Sequence, residues 1–342
     1  MHLLRSSLEP LGLDHPLSYL AIFLAASLLV IWRVEALLDR GFEGTALGAL
    51  VLPYCSGFGN LVFVFLVLRD QLAPTEIVVN SLVNNITNLT LLLGLPALIW
   101  GLTVVADSGG TRGGKRRSRR SARANGALVE ARLSRLSLLL TLAAVGFFTA
   151  ALVLLGHDGV LDRGDGLVLV GLFLFWQSIQ VFDALKHSVR NRVDFGPAVL
   201  LDVVGILVGA ALLYESLDWL VQWLTTSRQG FFRPELLGWL SGWLLVLPNA
   251  LLALYYAARR RADIVYSSQI GDGHVCIPLA VGLGAIWQPI VLPELLLVGC
   301  GVIFGAAILH ALCLSLLGKL PRILGGGLIL AYVIFVVREL NS

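Results

Sequence analysis

Charge is what this sequence has least of. Asp, Glu, Lys and Arg make up 14% of its 342 residues while 57% are apolar, against about 25% charged in an ordinary soluble domain. A soluble enzyme is thereby excluded. Methionine occurs once, and the four cysteines show no Cys-x-x-Cys spacing, so neither a zinc ribbon nor a dithiol redox motif is written here. Cys55, Cys276, Cys300 and Cys313 read instead as small buried thiols. Residues 1–16 lack a basic stretch followed by a small-residue cleavage site, so the first apolar run is expected to stay in the mature chain. The net charge of +3 gives no reason to expect nucleic acid as a partner.

Long apolar runs are what the sequence has in plenty. Runs able to cross a bilayer, about 20 residues each, fall near residues 17–32, 44–68, 76–104, 134–156, 166–185, 198–222, 236–258, 262–287, 290–317 and 321–337. This predicts an all-α polytopic membrane protein of about ten transmembrane helices. The third and ninth runs are long enough to be broken or steeply tilted.

The basic side chains fix a direction. Arg112, Lys115, Arg116, Arg117, Arg119, Arg120 and Arg123 form the densest positive run, which places the segment after the third span in the cytoplasm. Ten spans then put 19 of the 25 Lys and Arg inside and both termini outside, as expected for a bacterial inner membrane protein. The predicted organisation is a first repeat over 1–105, a basic cytoplasmic loop over 106–133 with the character of a disordered linker, spans four and five over 134–190, and a second repeat over 191–342.

Two landmarks recur. Ser56-Gly57-Phe58-Gly59-Asn60 in the second span and Leu245-Val246-Leu247-Pro248-Asn249 in the seventh each place an amide after a helix-weakening residue, and each is expected to interrupt its helix. The next span opens on an acid in both cases, at Glu76 and Asp263. Five helices per copy, an odd number, make the second copy enter from the opposite side, so the reading is two inverted five-helix repeats.

Polar residues inside the spans mark the expected site, because amides, hydroxyls and carboxylates are costly against lipid. The third span carries Asn80, Ser81, Asn84, Asn85, Thr87 and Asn88; the eighth carries Ser267, Ser268, Gln269, Asp272 and His274. Asn60, Asn84, Asn85, Asn88, Asn249, Ser268 and Asp272 are the candidates for a cation or substrate pathway. Ser56, Ser81, Glu76, Asp202, Asp263 and His274 are secondary, Asp202 being expected to face water or cap a helix. His310 and Gln177, Gln180 and Asp183 read as helix-packing or entrance groups.

These segments resemble the paired alpha repeats of the sodium/calcium exchanger family. Asn85-Ile86-Thr87-Asn88 followed by Leu89-Thr90-Leu91-Leu92-Leu93-Gly94 is similar to the end of the first repeat; Pro248-Asn249 and residues 257–264 are similar to the second. The resemblance implies ten helices, antiport, and cation ligation from spans two, three, seven and eight. It also places Asn60 and Asn249 where the family has its paired glutamates. A calcium ion favours carboxylates, so the expected activity is a secondary active cation antiporter coupled to Na+, H+ or another cation, with standard sodium/calcium exchange disfavoured. The alternatives are a carrier for a small organic solute and a non-transporting membrane interaction or sensory protein. No covalent catalysis and no cofactor are expected; the partners are membrane lipids and small inorganic cations, with the oligomeric state open.

Overall fold

The structure, a computed structural model, describes residues 3–37, 40, 57–104, 117–187, 196–227 and 231–341. Among these residues, nine helices are long and apolar enough to cross a membrane, and the shorter apolar helix Phe58–Arg69 supplies the remaining predicted span. In chain order they are α1 (Pro16–Leu37), α2 (Phe58–Arg69), α3 (Thr75–Leu89), α4 (Leu91–Trp100), α5 (Arg117–Leu155), α6 (Arg163–His187), α7 (Pro197–Thr226), α8 (Leu237–Ala258), α9 (Ala262–Val275), α10 (Gly282–Trp287), α11 (Leu295–Leu312) and α12 (Arg322–Leu340). The third span is α3 and α4. The eighth is α9 and α10 joined by a π-helix, Cys276–Val281.

Two expectations are corrected and one is borne out. The helix α5 begins at Arg117, so the second part of the basic segment is helical rather than linker-like; its Arg, Ala, Leu and Glu are strong helix formers. Pro248 lies inside α8 without ending it, since the one backbone bond that proline removes can be tolerated in a packed membrane helix. The third span does break, at Thr90, where the Thr90 hydroxyl donates back to the Ile86 carbonyl, an interaction that bends helices.

The chain forms two compact units. In the first (residues 1–85, 150–248 and 271–297), α1 runs along α7. A Cβ on Gly209 would lie 2.7 Å from Val30 Cγ2, and Tyr19 stacks on Trp219 with ring centroids 4.0 Å apart. Arg69, ending α2, donates to Asp218 at 2.6 Å and to the Tyr214 hydroxyl at 2.7 Å, both on α7. Phe173, Val275 and Leu279 form a buried cluster with Leu61 and Val170 against it. Two short strands, β2 (Val160–Leu161) and β3 (Ile290–Val291), pair antiparallel here.

In the second unit (86–149, 249–270 and 298–342), α4 packs on α12, and β1 (Leu102–Thr103) pairs with β4 (Lys319–Leu320). The α4–α12 crossing is close: a Cβ on Gly325 would sit 2.7 Å from the Gly94 carbonyl oxygen, and one on Gly94 2.9 Å from that of Gly325. Only a residue without a side chain fits either place.

Contacts in one unit repeat those in the other. The first unit has its own glycine crossing, α6 with α10, where a Cβ on Gly166 would lie 2.7 Å from the Gly282 carbonyl oxygen. Gly94 and Gly282 are 188 positions apart, as are the starts of β1 and β3; Gly166 and Gly325 are 159 apart, as are the starts of β2 and β4. The ladder register follows the same offsets, Leu102 facing Leu320 and Leu161 facing Ile290. Gly159 and Gly318, also 159 apart, both take left-handed backbone, with φ of 90° and 64°. Gln71 and Arg260, the two described non-glycine residues with positive φ (54° and 58°), are 189 apart.

Two differences between the copies follow from these offsets. The fall from 188 to 159 lies between the third and fourth spans and equals the length of residues 105–133, so the basic segment is an insertion with no counterpart in the second half. Glu76 and Asp263, each the second residue of its helix, are only 187 apart. The π-helix lies between Asp263 and Gly282 and accommodates the one extra residue.

Candidate functional site

Asn60, Asn84, Asn85, Asp272 and His274 belong to the first unit, and each is buried. The amide of Asn84 on α3 donates from Nδ2 to Asn60 Oδ1 on α2 at 3.4 Å. Asn85 spends its amide N–H on the Ser81 carbonyl one turn back, at 2.7 Å. Ser81 reaches across to the eighth span, its hydroxyl donating to the carbonyl of Cys276 at 3.1 Å. That carbonyl belongs to the first residue of the π-helix, where the backbone departs from the α ladder. Asn80 donates to the buried Ser241 hydroxyl on α8 at 2.9 Å. Asp272, on α9, is 1% exposed. The ring of His274 packs at 5.1 Å, tilted, on Trp176.

Asn88, Asn249 and Ser268 belong to the second unit. Asn88 is fully buried near the end of α3, Asn249 is buried on α8 and Ser268 is half-buried on α9. Gln269, beside Ser268, donates from Nε2 to the Ser268 hydroxyl at 2.8 Å and toward the Asn249 carbonyl at 3.4 Å. Thr87 donates to the Tyr332 hydroxyl on α12 at 3.2 Å.

His310 on α11 is fully buried and engages both ring nitrogens. Its Nε2 lies 2.8 Å from the carbonyl of Leu89, the last residue of α3, and its Nδ1 lies 3.2 Å from the Tyr266 hydroxyl on α9. A carbonyl only accepts, so Nε2 carries the proton and Tyr266 donates to Nδ1. The imidazole thus holds the break of the third span to the first half of the eighth. The structure bears out its reading as a helix-packing group.

Three further secondary candidates have structural surroundings. Asp202 is 1% exposed rather than facing water, because Arg33 at 3.2 Å and Arg40 at 2.8 Å clamp its two oxygens. Glu76 accepts the backbone N–H of Gly238 at 2.6 Å; a Cβ at Gly238 would lie 2.7 Å from that carboxylate oxygen. Asp263 pairs with Arg261 at the surface, at 3.1 Å, which holds that guanidinium's pKa above its ordinary value. Ser56 lies outside the described residues, as does Cys55; Cys276, Cys300 and Cys313 are free and buried.

Sequence reasoning named Gln269 within its segment without singling it out, and it passed over Ser241. The signal for Gln269 was available: a long amide between Ser268 and the apolar Ile270, inside a membrane span. Ser241 carried none, since a serine in a helix can satisfy itself on its own backbone, as this one also does on the Gly238 carbonyl.

What the primary candidates offer chemically is neutral oxygens in each unit and, in the first, the Asp272 carboxylate. Among the described residues no group of three or more His, Cys, Asp or Glu side chains could hold a metal ion. The amides and hydroxyls can replace the hydration shell of a weakly held ion but cannot neutralise two charges.

The family model described as sodium/calcium exchanger protein matches residues 17–182. Among solved structures, the chain is similar to the sodium-calcium exchanger NCX_Mj soaked with 2.5 mM Na+ and 10 mM Sr2+, at 18% identity and a TM-score of 0.68, covering 96% of this chain and 98% of that one. The same exchanger soaked with 10 mM Na+ and zero Ca2+ matches at 18% identity and a TM-score of 0.67, over 94% and 98% of the two chains. At such identity the likeness establishes the fold. No curated protein sequence matches the chain.

Proposed function

We propose, on the match of residues 17–182 to the sodium/calcium exchanger family model, that this chain is a secondary active cation antiporter. It works by alternating access and couples to sodium ions or protons. The carrying observation is Asp272, buried to 1% in the same unit as the buried amides Asn60 and Asn84. A carboxylate inside a membrane is expensive and marks an ion or proton pathway. A single carboxylate matches a single positive charge; a calcium ion ordinarily draws several carboxylates. Standard sodium/calcium exchange is therefore not the proposed activity.

Alternating access is supported by the recurring contacts. A fold built from two copies of one five-helix plan, the second entering from the opposite side, can expose a central site to either face by rocking one set of helices. Asn60, Asn84, Asn85, Asn88, Asn249, Ser268 and Asp272 are proposed to line the route. The basic insertion is proposed to face the cytoplasm of a bacterial inner membrane, with both termini outside.

Reconstituted liposomes carrying opposed Na+, K+, Ca2+ or H+ gradients test the reading. The expected result is flux of a monovalent cation or proton that requires a counter-gradient. Gradient-independent leakage, or no flux after verified reconstitution, sinks it.

A further inference from the structure

The second unit holds a buried amide that uses only one of its ends. Gln269, on α9, is 1% exposed. Its Nε2 faces the Ser268 hydroxyl at 2.8 Å and the Asn249 backbone carbonyl at 3.4 Å. These neighbours fix which way round the amide sits. The carbonyl accepts only, and the Ser268 hydroxyl has already given its proton to the Val265 carbonyl at 3.2 Å. Both therefore need a donor, and only the NH2 end supplies one. Gln269 Oε1 is what remains, buried and with no donor among the described residues.

An amide that merely joined two helices would have its strongest acceptor engaged by a donor from the neighbouring helix. Here the acceptor is left over, while the NH2 end alone engages the Ser268 hydroxyl and the Asn249 backbone of the seventh span. We propose that Gln269 Oε1 is a ligand oxygen for a monovalent alkali cation, sodium first, and that it sets the preference for monovalent over divalent ions. This rests on the cation-antiport reading above. The local chemistry selects the charge: the Gln269 amide oxygen is a dipole without a formal negative charge, enough to replace part of a sodium ion's hydration and too little to compensate a calcium ion.

Thermal unfolding of the purified protein in detergent tests this, titrated with Na+, Li+, K+ or Ca2+ at constant ionic strength made up with N-methylglucamine chloride. Sodium is expected to raise the Tm of the wild type saturably. Gln269→Leu is expected to need at least a ten-fold higher sodium concentration for the same rise, and Gln269→Glu to acquire a calcium-dependent rise. The Glu variant, nearly isosteric, keeps the test open where the Leu variant fails to fold. Sodium curves for both variants that superimpose on the wild type overturn the proposal, as does a wild type indifferent to every monovalent ion. Flux measured on the same preparations separates the two ideas. Sodium stabilisation that depends on Gln269 without gradient-driven flux removes the antiporter and leaves the ligand; flux with sodium stabilisation indifferent to Gln269 does the reverse.

Discussion

Asp202 and Asp272 are both carboxylates at 1% exposure; Asp202 sits in ion pairs, whereas Asp272 is the one proposed for the ion pathway. Asp202 is held by two guanidinium groups, so its removal leaves two positive charges facing each other at the edge of the membrane. Asp202→Ala is expected to destabilise the protein toward the low end of about 3–5 kcal/mol, seen as a lower Tm in detergent. Asp272→Asn should behave conversely, with near-normal insertion and Tm but coupled flux reduced at least ten-fold and its pH dependence lost. Unchanged flux and pH profile in that variant would take Asp272 out of the mechanism. At His310, replacement by Leu strands the Leu89 carbonyl and should cost about 1–3 kcal/mol, again read from thermal unfolding. Hydropathy could not separate these roles, since it treats any ionisable group in a span alike; only the partners, 169 positions away in the case of Arg33, tell them apart.

Among the elements, the two glycine crossings carry the packing that no helix pattern announces. Gly94→Val and Gly282→Val each push a side chain into a carbonyl of the facing helix and are expected to cost about 1–3 kcal/mol and to do so similarly, because the contacts are equivalent; a large effect in one and none in the other would break the equivalence. The start of α6 has a reciprocal cap, Asp162 accepting from the Asp165 N–H and Asp165 from the Asp162 N–H, both at 2.9 Å. Those N–H bonds, the Asp165 one foremost, hold the Asp162 carboxyl below its ordinary pKa. A depressed value means the stabilisation is present above the unfolded pKa and lost as the pH falls through the folded one. Asp162→Ala should therefore lower Tm at neutral pH and cease to matter in acid.

At this level the sequence made the spans legible and the breaks much less so. Apolar length located each membrane helix, and the long third run announced its own interruption. Pro248 misled, since a proline signals a weak point but the packed neighbours decide whether the helix ends there. The π-helix over Cys276–Val281 had only Pro278 as a sequence mark, because one extra residue in a run of apolar side chains changes neither hydropathy nor periodicity enough to notice. The amide-rich candidate site was visible for the same reason that the spans were: polar atoms stand out against an apolar ground. Which amide keeps an unused oxygen was not, since it depends on what Ser268 does with its proton.

For the molecule as a whole, the offsets of 188 and 159 make the basic segment a removable part. Excising residues 105–133 brings the first copy to the length of the second, and the shortened chain is expected to fold and transport. Its orientation is what the segment should control. With the segment's Lys and Arg changed to Gln, cysteine-accessibility mapping of the loops is expected to show a mixture of orientations in place of one; a single unchanged orientation would assign the direction to the remaining basic groups.

The π-helix has a consequence of another kind. Two identical copies facing opposite ways would give a carrier whose inward-open and outward-open forms are mirror images in energy, each half the population at rest. One residue more in the eighth span than in the third removes that degeneracy at the level of the backbone, before any ion binds. On the alternating-access reading proposed above, the resting carrier then favours one door, and shortening the Cys276–Val281 turn by a single residue, at Ala280, should shift that balance toward even.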